Sequence, residues 1–120
     1  DLGIPLAWGG IPRLVREIGP ALTKELVLTC RPFGADEAKA IGFINQVVAA
    51  SDLDTTVTDL ATNLASKTLY SLHSTKQQVN AVMEEIAGTG RSAGDADMLV
   101  YAMRDTESRE ATARYLAQRK

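Results

Sequence analysis

The 120 residues contain one cysteine, one histidine and only 5% aromatic side chains. A lone Cys30 cannot close an internal disulfide, and with a single His73 no set of sulfur and nitrogen ligands stands at zinc spacing. No apolar run approaches the roughly 20 residues that cross a bilayer. Nor does a charged stretch precede a short apolar segment, as in a secretory leader. Basic excess is also missing, since a net charge of −2 offers no general attraction for nucleic acid or an anionic membrane. Walker-type phosphate loops, dinucleotide fingerprints and Gly-x-Ser-x-Gly elbows do not occur. These absences lead to the expectation of a globular, cytoplasmic chain with no metal or resident cofactor, no nucleic-acid partner and no membrane contact.

What is present reads as mainly α. Hydrophobic residues make up 45%, and Ala and Leu, prominent among them, lose little freedom in helices. Pro12 suits the first turn of a short helix with Leu14, Val15 and Ile18 on one face, ended by Gly19. Pro20 opens a second, whose stripe is Leu22, Leu26 and Val27 or Cys30, stopped at Arg31-Pro32. A third is expected over about 35–41, with Asp36 and Glu37 in its first turn and Gly42 at its end.

Residues 43–48, Phe-Ile-Asn-Gln-Val-Val, form the one credible strand. A lone strand makes no sheet, so its partners lie elsewhere or the segment runs extended over helices. From Ser51 onward the pattern is helical. Ser51 and Asp54 resemble a capping box before Leu53, Val57, Leu60 and Leu64. A long helix over about 71–87 carries Leu72, Val79, Met83 and Ile86 on one face and breaks at Gly88-Thr89-Gly90. Two more helices are expected over about 93–103 and 106–118, with Thr106 as the N-cap of the last.

Residues 1–10 are the least ordinary segment. Three glycines and a proline among apolar residues suit a loop that turns sharply or approaches something closely. Leading into a helix, such a loop can aim backbone N–H groups and a positive dipole end at a water, a carboxylate or a developing negative charge. Apolar Gly/Pro loops before helices are also common and often purely structural. His73 and Cys30 read as structural or exposed, and Glu84-Glu85 as surface charge. Because Asp1 stands directly before this loop with no strand or cap leading in, the chain is expected to be cut from a larger fold.

A run of residues sharpens the reading: Leu2-Gly3-Ile4-Pro5, Gly9-Gly10, Arg13-Leu14, Gly19, Glu25-Leu26, Leu28-Thr29, Arg31, Ala35, Glu37-Ala38, Gly42 and Asn45-Gln46-Val47-Val48. Ser74-Thr75-Lys76 and the stretch from Arg109-Glu110 to Arg119-Lys120 extend it. Together they resemble the C-terminal portion of the enoyl-CoA hydratase/isomerase, or crotonase, family. The resemblance implies the end of an α/β crotonase-like (ββα spiral) fold. Residues 1–50 would close its core with the acyl-pocket loop, short helices and one strand. Residues 51–120 would be a C-terminal helical oligomerisation region, building homo-trimers or hexamers.

Members of this family bind acyl-CoA thioesters and stabilise a thioester enolate with two backbone N–H groups. Hydratases add two glutamates that position water and transfer protons. By the resemblance the two N–H groups and one glutamate lie upstream, and the other glutamate lies about two residues before Asp1. No catalytic residue is therefore expected in this chain, Asp1 included. The implied substrate-binding residues are Leu2, Gly3, Ile4, Pro5, Ala7 and Trp8 at the acyl end. Tyr115, with Arg119 or Lys120, would stand near the nucleotide end of CoA, where Gln118 replaces an expected lysine. Coenzyme A would arrive as part of the substrate.

Cys30 occupies the place of the family's glycine after Leu-Thr, which asks whether that position needs a positive φ. The expected function is enoyl-CoA hydratase in fatty acid metabolism (β-oxidation), a lyase activity of the parent protein that is left open for these residues alone. The alternatives are an enoyl-CoA isomerase or other crotonase-type reaction, or a non-catalytic helical assembly module.

Overall fold

A computed structural model describes residues 3–118, and of Thr89 and Arg91 the backbone only. The described residues are mainly helical and contain no β-ladder. The helices are α1 (Gly10–Thr29), α2 (Ala35–Ala40), α3 (Leu53–Ala65), α4 (Leu69–Ala87), α5 (Asp95–Arg104) and α6 (Thr106–Ala117), with 3-10 turns at Ala50–Asp52 and Thr89–Ser92. They fall into two compact units, Asp1–Pro32 with Ala87–Lys120, and Phe33–Ile86.

In the first unit, α1 is two helical pieces broken at Gly19, which has φ 77° and ψ 168°. Pro20 follows and has no N–H to continue the helical ladder. Thr23, almost fully buried at 2% exposure, donates its hydroxyl to the Gly19 carbonyl at 2.7 Å and so satisfies an oxygen at the break. Pro12, Ile18, Thr23 and Leu26 form the buried face.

Cys30 is not part of that face. It lies just past the helix, exposed, in the left-handed region at φ 52° and ψ 23°, with its N–H on the Leu26 carbonyl at 3.0 Å. The position therefore needs a positive φ, and glycine is the residue that adopts it without strain. Behind it, Thr29 donates its hydroxyl to the Glu25 carbonyl at 2.7 Å. The Arg31 guanidinium donates to the Glu25 carboxylate at 2.8 and 3.0 Å. This pair is exposed and adds at most about 1 kcal/mol, but it fixes how the chain leaves the helix.

In the second unit, α2 ends on a Schellman motif. Gly42 has φ 80°, its N–H bonds Lys39 O at 3.1 Å, and the Phe43 N–H bonds Ala38 O at 2.9 Å. The Phe43 ring then meets Phe33 edge to face at 6.0 Å. The expected strand over 43–48 does not form. After bends at 43–45 the chain is irregular, because nothing among the described residues pairs with it. The Ser51 capping box is also absent. Ser51 instead donates to Asp52 Oδ1 at 2.9 Å, and a 3-10 turn leads directly into α3.

α3 buries no residue, and Leu53, Val57, Leu60 and Leu64 remain between 47% and 56% exposed. On α4, Leu72 and Met83 are half-buried while Val79 and Ile86 are exposed. Burying a side chain of this kind is worth about 1.5–3 kcal/mol, so both helices carry apolar faces that this chain leaves largely uncovered.

α5 packs on α6 in the first unit. The N-cap of α6 is Asp105 rather than Thr106, because the Asp105 carboxylate accepts the Ser108 N–H at 2.8 Å. That backbone hydrogen bond, helped by the Ser108 hydroxyl, holds the Asp105 carboxyl below its ordinary value of 3.8.

Two outcomes follow from these geometries. Replacing Cys30→Gly is expected to stabilise the protein by about 0.5–1 kcal/mol, since glycine accepts the left-handed backbone that cysteine resists. Thermal unfolding checks this, with Cys30→Ala as a control that keeps the strain, and an unchanged or lower Tm for the glycine variant would refute it. For Asp105 the folded pKa is depressed, so its contribution is present above 3.8 and is lost as pH falls through the lowered folded value. Helicity followed by circular dichroism during acid titration should fall less steeply there in Asp105→Asn than in the parent.

Candidate functional site

The loop ahead of α1 is built on backbone that approaches other backbone. Gly3 has φ 67°, and a Cβ there would lie 2.5 Å from the Ser108 carbonyl oxygen and 2.8 Å from Ala111 Cβ. No larger residue fits without moving α6. Further along, Trp8 at φ 56° and Gly9 at φ 72° are left-handed in succession, and the Gly10 N–H closes the turn on Ala7 O at 3.1 Å. Two positive φ values at the central positions are the pattern of a type I′ turn.

Charged side chains hold this turn from two sides. Arg13 donates to the Trp8 carbonyl at 2.7 Å, and the Gly9 N–H donates to Asp95 Oδ2 at 2.8 Å across 86 residues of sequence. Two of the N–H groups at the start of the helix are therefore engaged within the chain. Gly9 gives its N–H to Asp95, Gly10 gives its own to Ala7, and Pro12 has none. A carboxylate near the start of α1 suits the positive end of its dipole. Here the protein's own Asp95 supplies that carboxylate.

Ile4, Pro5, Leu6, Ala7 and Trp8 face Leu26, Val27 and Cys30 of α1 and its cap across an open groove of about 370 Å³. Among the described residues its lining contains no carboxylate, imidazole or amine. Such a groove suits an apolar tail, and its one ionisable side chain among the described residues is the Cys30 thiol. Ala7 is buried, whereas Trp8 is 77% exposed at the rim. Ile4 also borders a second apolar groove of about 430 Å³ formed with Leu99, Met103 and Leu116 of α5 and α6.

The residues expected to bind substrate are thus distributed unevenly. Ile4, Pro5, Ala7 and Trp8 come together in one groove, while Gly3 is a packing position against α6. Tyr115 lies apart from that groove, half-buried beside Arg114 and Gln118 in a cleft of about 200 Å³. Leu2, Arg119 and Lys120 lie outside the described residues.

Sequence reasoning did not single out Asp95 for the site, nor Leu6, Leu26 and Val27 as groove lining. Leu26 and Val27 were visible as a helical stripe, but an acid in the first turn of α5 reads only as dipole compensation. His73 is exposed on α4. Among the described residues no group of three His, Cys, Asp or Glu could hold a metal ion, and no helix is long and apolar enough to cross a membrane.

The enoyl-CoA hydratase/isomerase family profile matches residues 1–120. A crotonyl-CoA hydratase of Syntrophomonas wolfei is 33% identical over 120 residues, covering 99% of this chain and 45% of that protein. A short-chain-enoyl-CoA hydratase of Clostridium acetobutylicum is 36% identical over 83 residues, covering 69% of this chain and 32% of the relative. A methylmalonyl-CoA decarboxylase of Escherichia coli is 30% identical over 84 residues, covering 70% and 32%.

The chain thus spans less than half the length of each of these three relatives. No solved structure gives a significant match. With the family profile matched from the first residue to the last and one hydratase aligned over nearly all of it, the chain belongs to the enoyl-CoA hydratase/isomerase family.

Proposed function

We propose that these residues supply the acyl-tail wall and the C-terminal helices of an enoyl-CoA hydratase. The observation that carries the reading is the groove of Ile4 to Trp8 with Leu26, Val27 and Cys30, mostly apolar and, among the described residues, lined by no carboxylate, imidazole or amine. Such a lining suits the hydrocarbon end of a 2-enoyl thioester, whose transfer from water is worth about 0.8 kcal/mol per buried CH₂.

In the proposed reaction the oxygen of water bonds to C3 of the enoyl group. The C2=C3 electrons move onto the thioester oxygen as an enolate, and a proton then adds to C2 as the carbonyl reforms. Two backbone N–H donors would stabilise the enolate, and two glutamates would take and deliver the protons. In this reading those groups belong to the ββα core of the whole protein, and the present residues bind and orient the tail. The Tyr115 cleft, with Arg119 or Lys120, would face the nucleotide end of CoA. The uncovered leucines and valine of α3 would be buried between subunits of a cytoplasmic trimer or hexamer.

Similarity to a protein named methylmalonyl-CoA decarboxylase supports a second reading, a different reaction on a CoA thioester over the same scaffold. Crotonyl-CoA offered to the purified full-length protein separates the two. The hydratase reading expects loss of the enoyl-thioester absorbance with formation of 3-hydroxybutyryl-CoA, by a protein that light scattering finds to be an oligomer. Binding of crotonyl-CoA without hydration of it or of longer 2-enoyl-CoAs would move the assignment to another reaction. Failure to bind any acyl-CoA would remove the reading altogether, and a stable monomer would remove the oligomer.

A further inference from the structure

The loop that forms one wall of the apolar groove is tied near both ends to the last two helices. At its start, Gly3 lies so close to α6 that a Cβ there would stand 2.5 Å from the Ser108 carbonyl oxygen. At its end, the Gly9 N–H donates at 2.8 Å to Asp95, in the first turn of α5. Because α5 and α6 pack on each other, both ties lead to one helical pair. Between the ties lie residues 4–8, which face the end of α1 across the groove.

None of the described residues of α5 or α6 lines that groove, so any influence they have on a ligand there runs through the loop. Two other hydrogen bonds of the loop, Gly10 N–H to Ala7 O and Arg13 to Trp8 O, are local in sequence. The Asp95 bond instead spans 86 positions and is partly buried. Without its acceptor the Gly9 N–H must turn to water, which requires the loop to part from α5. Dispersion contacts forfeit roughly a quarter to a half of their strength when a wall recedes by about 0.5–1 Å. The affinity gained from each CH₂ of a tail is therefore sensitive to where this wall stands.

We propose that α5–α6 positions the acyl groove from outside it, with Asp95 and the Gly3–Ser108 contact as the two points that hold residues 4–8 against the end of α1. The inference rests on the acyl-CoA reading above. It gives the last two helices a role separate from subunit contact and from recognition of the nucleotide.

The test reads the gain in affinity per CH₂ of the tail, by calorimetry on the full-length protein with free CoA and with butyryl-, hexanoyl- and octanoyl-CoA. In the parent each CH₂ should tighten binding about fourfold. Asp95→Ala should reduce that gain to about twofold and leave the affinity for free CoA unchanged. Gly3→Ala, which forces the other tie apart, should reduce the gain as well. Asp95→Asn, whose amide oxygen still accepts the Gly9 N–H, should keep the parent gain. So should Asp97→Ala, which removes the other acid from the first turn of α5.

An unchanged gain per CH₂ in Asp95→Ala or in Gly3→Ala overturns the proposal. So does an equal weakening of free CoA and every acyl-CoA in Asp95→Ala, or an Asp95→Asn or Asp97→Ala variant that behaves like Asp95→Ala. Should one of the two tie variants fail to fold, the other carries the test. If the parent binds no acyl-CoA, the functional reading fails by itself, and hydrogen exchange of the amides in residues 4–8 still tests the positioning. Faster exchange in Asp95→Ala than in the parent and Asp97→Ala supports it, and equal rates refute it.

Discussion

The peptide between Trp8 and Gly9 is where the two ends of this sequence meet. Its N–H lies on the Asp95 carboxylate and its carbonyl on the Arg13 guanidinium. These two bonds hold the loop ahead of α1 by both edges of one peptide. Gly3 adds a second anchor by letting the loop backbone approach Ser108 and Ala111 of α6 more closely than any Cβ would permit. The groove walls follow from these anchors, since Ile4 to Trp8 lie between them and face Leu26, Val27 and Cys30.

Several of the family-like residues in this chain shape backbone. Gly9 and Gly42 take left-handed conformations, and Gly19 breaks α1 ahead of Pro20. Glu25 and Arg31 tie the exit from α1 to the helix that precedes it, and Arg13 holds a carbonyl. The specificity of the resemblance thus comes from the demands of a loop, a kink and two caps. That accounts for how a sequence pattern can be strong while the groove it builds carries no carboxylate or imidazole among the described residues.

Much of the helical layout was legible because period and punctuation agree. Gly19-Pro20 divides α1, Gly42 ends α2, and Gly88 to Gly90 ends α4, each by a mechanism that acts over a few residues. The errors have equally local causes. Asp105 and Thr106 are adjacent cap formers, and the one with the geometry to accept the Ser108 N–H won. Residues 43–48 have strand-like composition, but a strand exists only with a neighbour to bond. The Asp95 contact could not be read, because a hydrogen bond from a backbone N–H to an acid 86 positions away leaves no periodic trace. Cys30 shows the reverse case, where family resemblance raised a question about φ that the structure answered.

The central claim is that the Ile4–Trp8 loop and the end of α1 enclose the acyl tail of a CoA thioester. Photoaffinity labelling of the full-length protein with an acyl-CoA that carries a diazirine on its tail addresses this directly, with labelled residues located by mass spectrometry. The account predicts insertion within residues 4–8 or 26–30, suppressed by excess crotonyl-CoA. Labelling confined to residues 33–86, or labelling that crotonyl-CoA does not suppress, would contradict it.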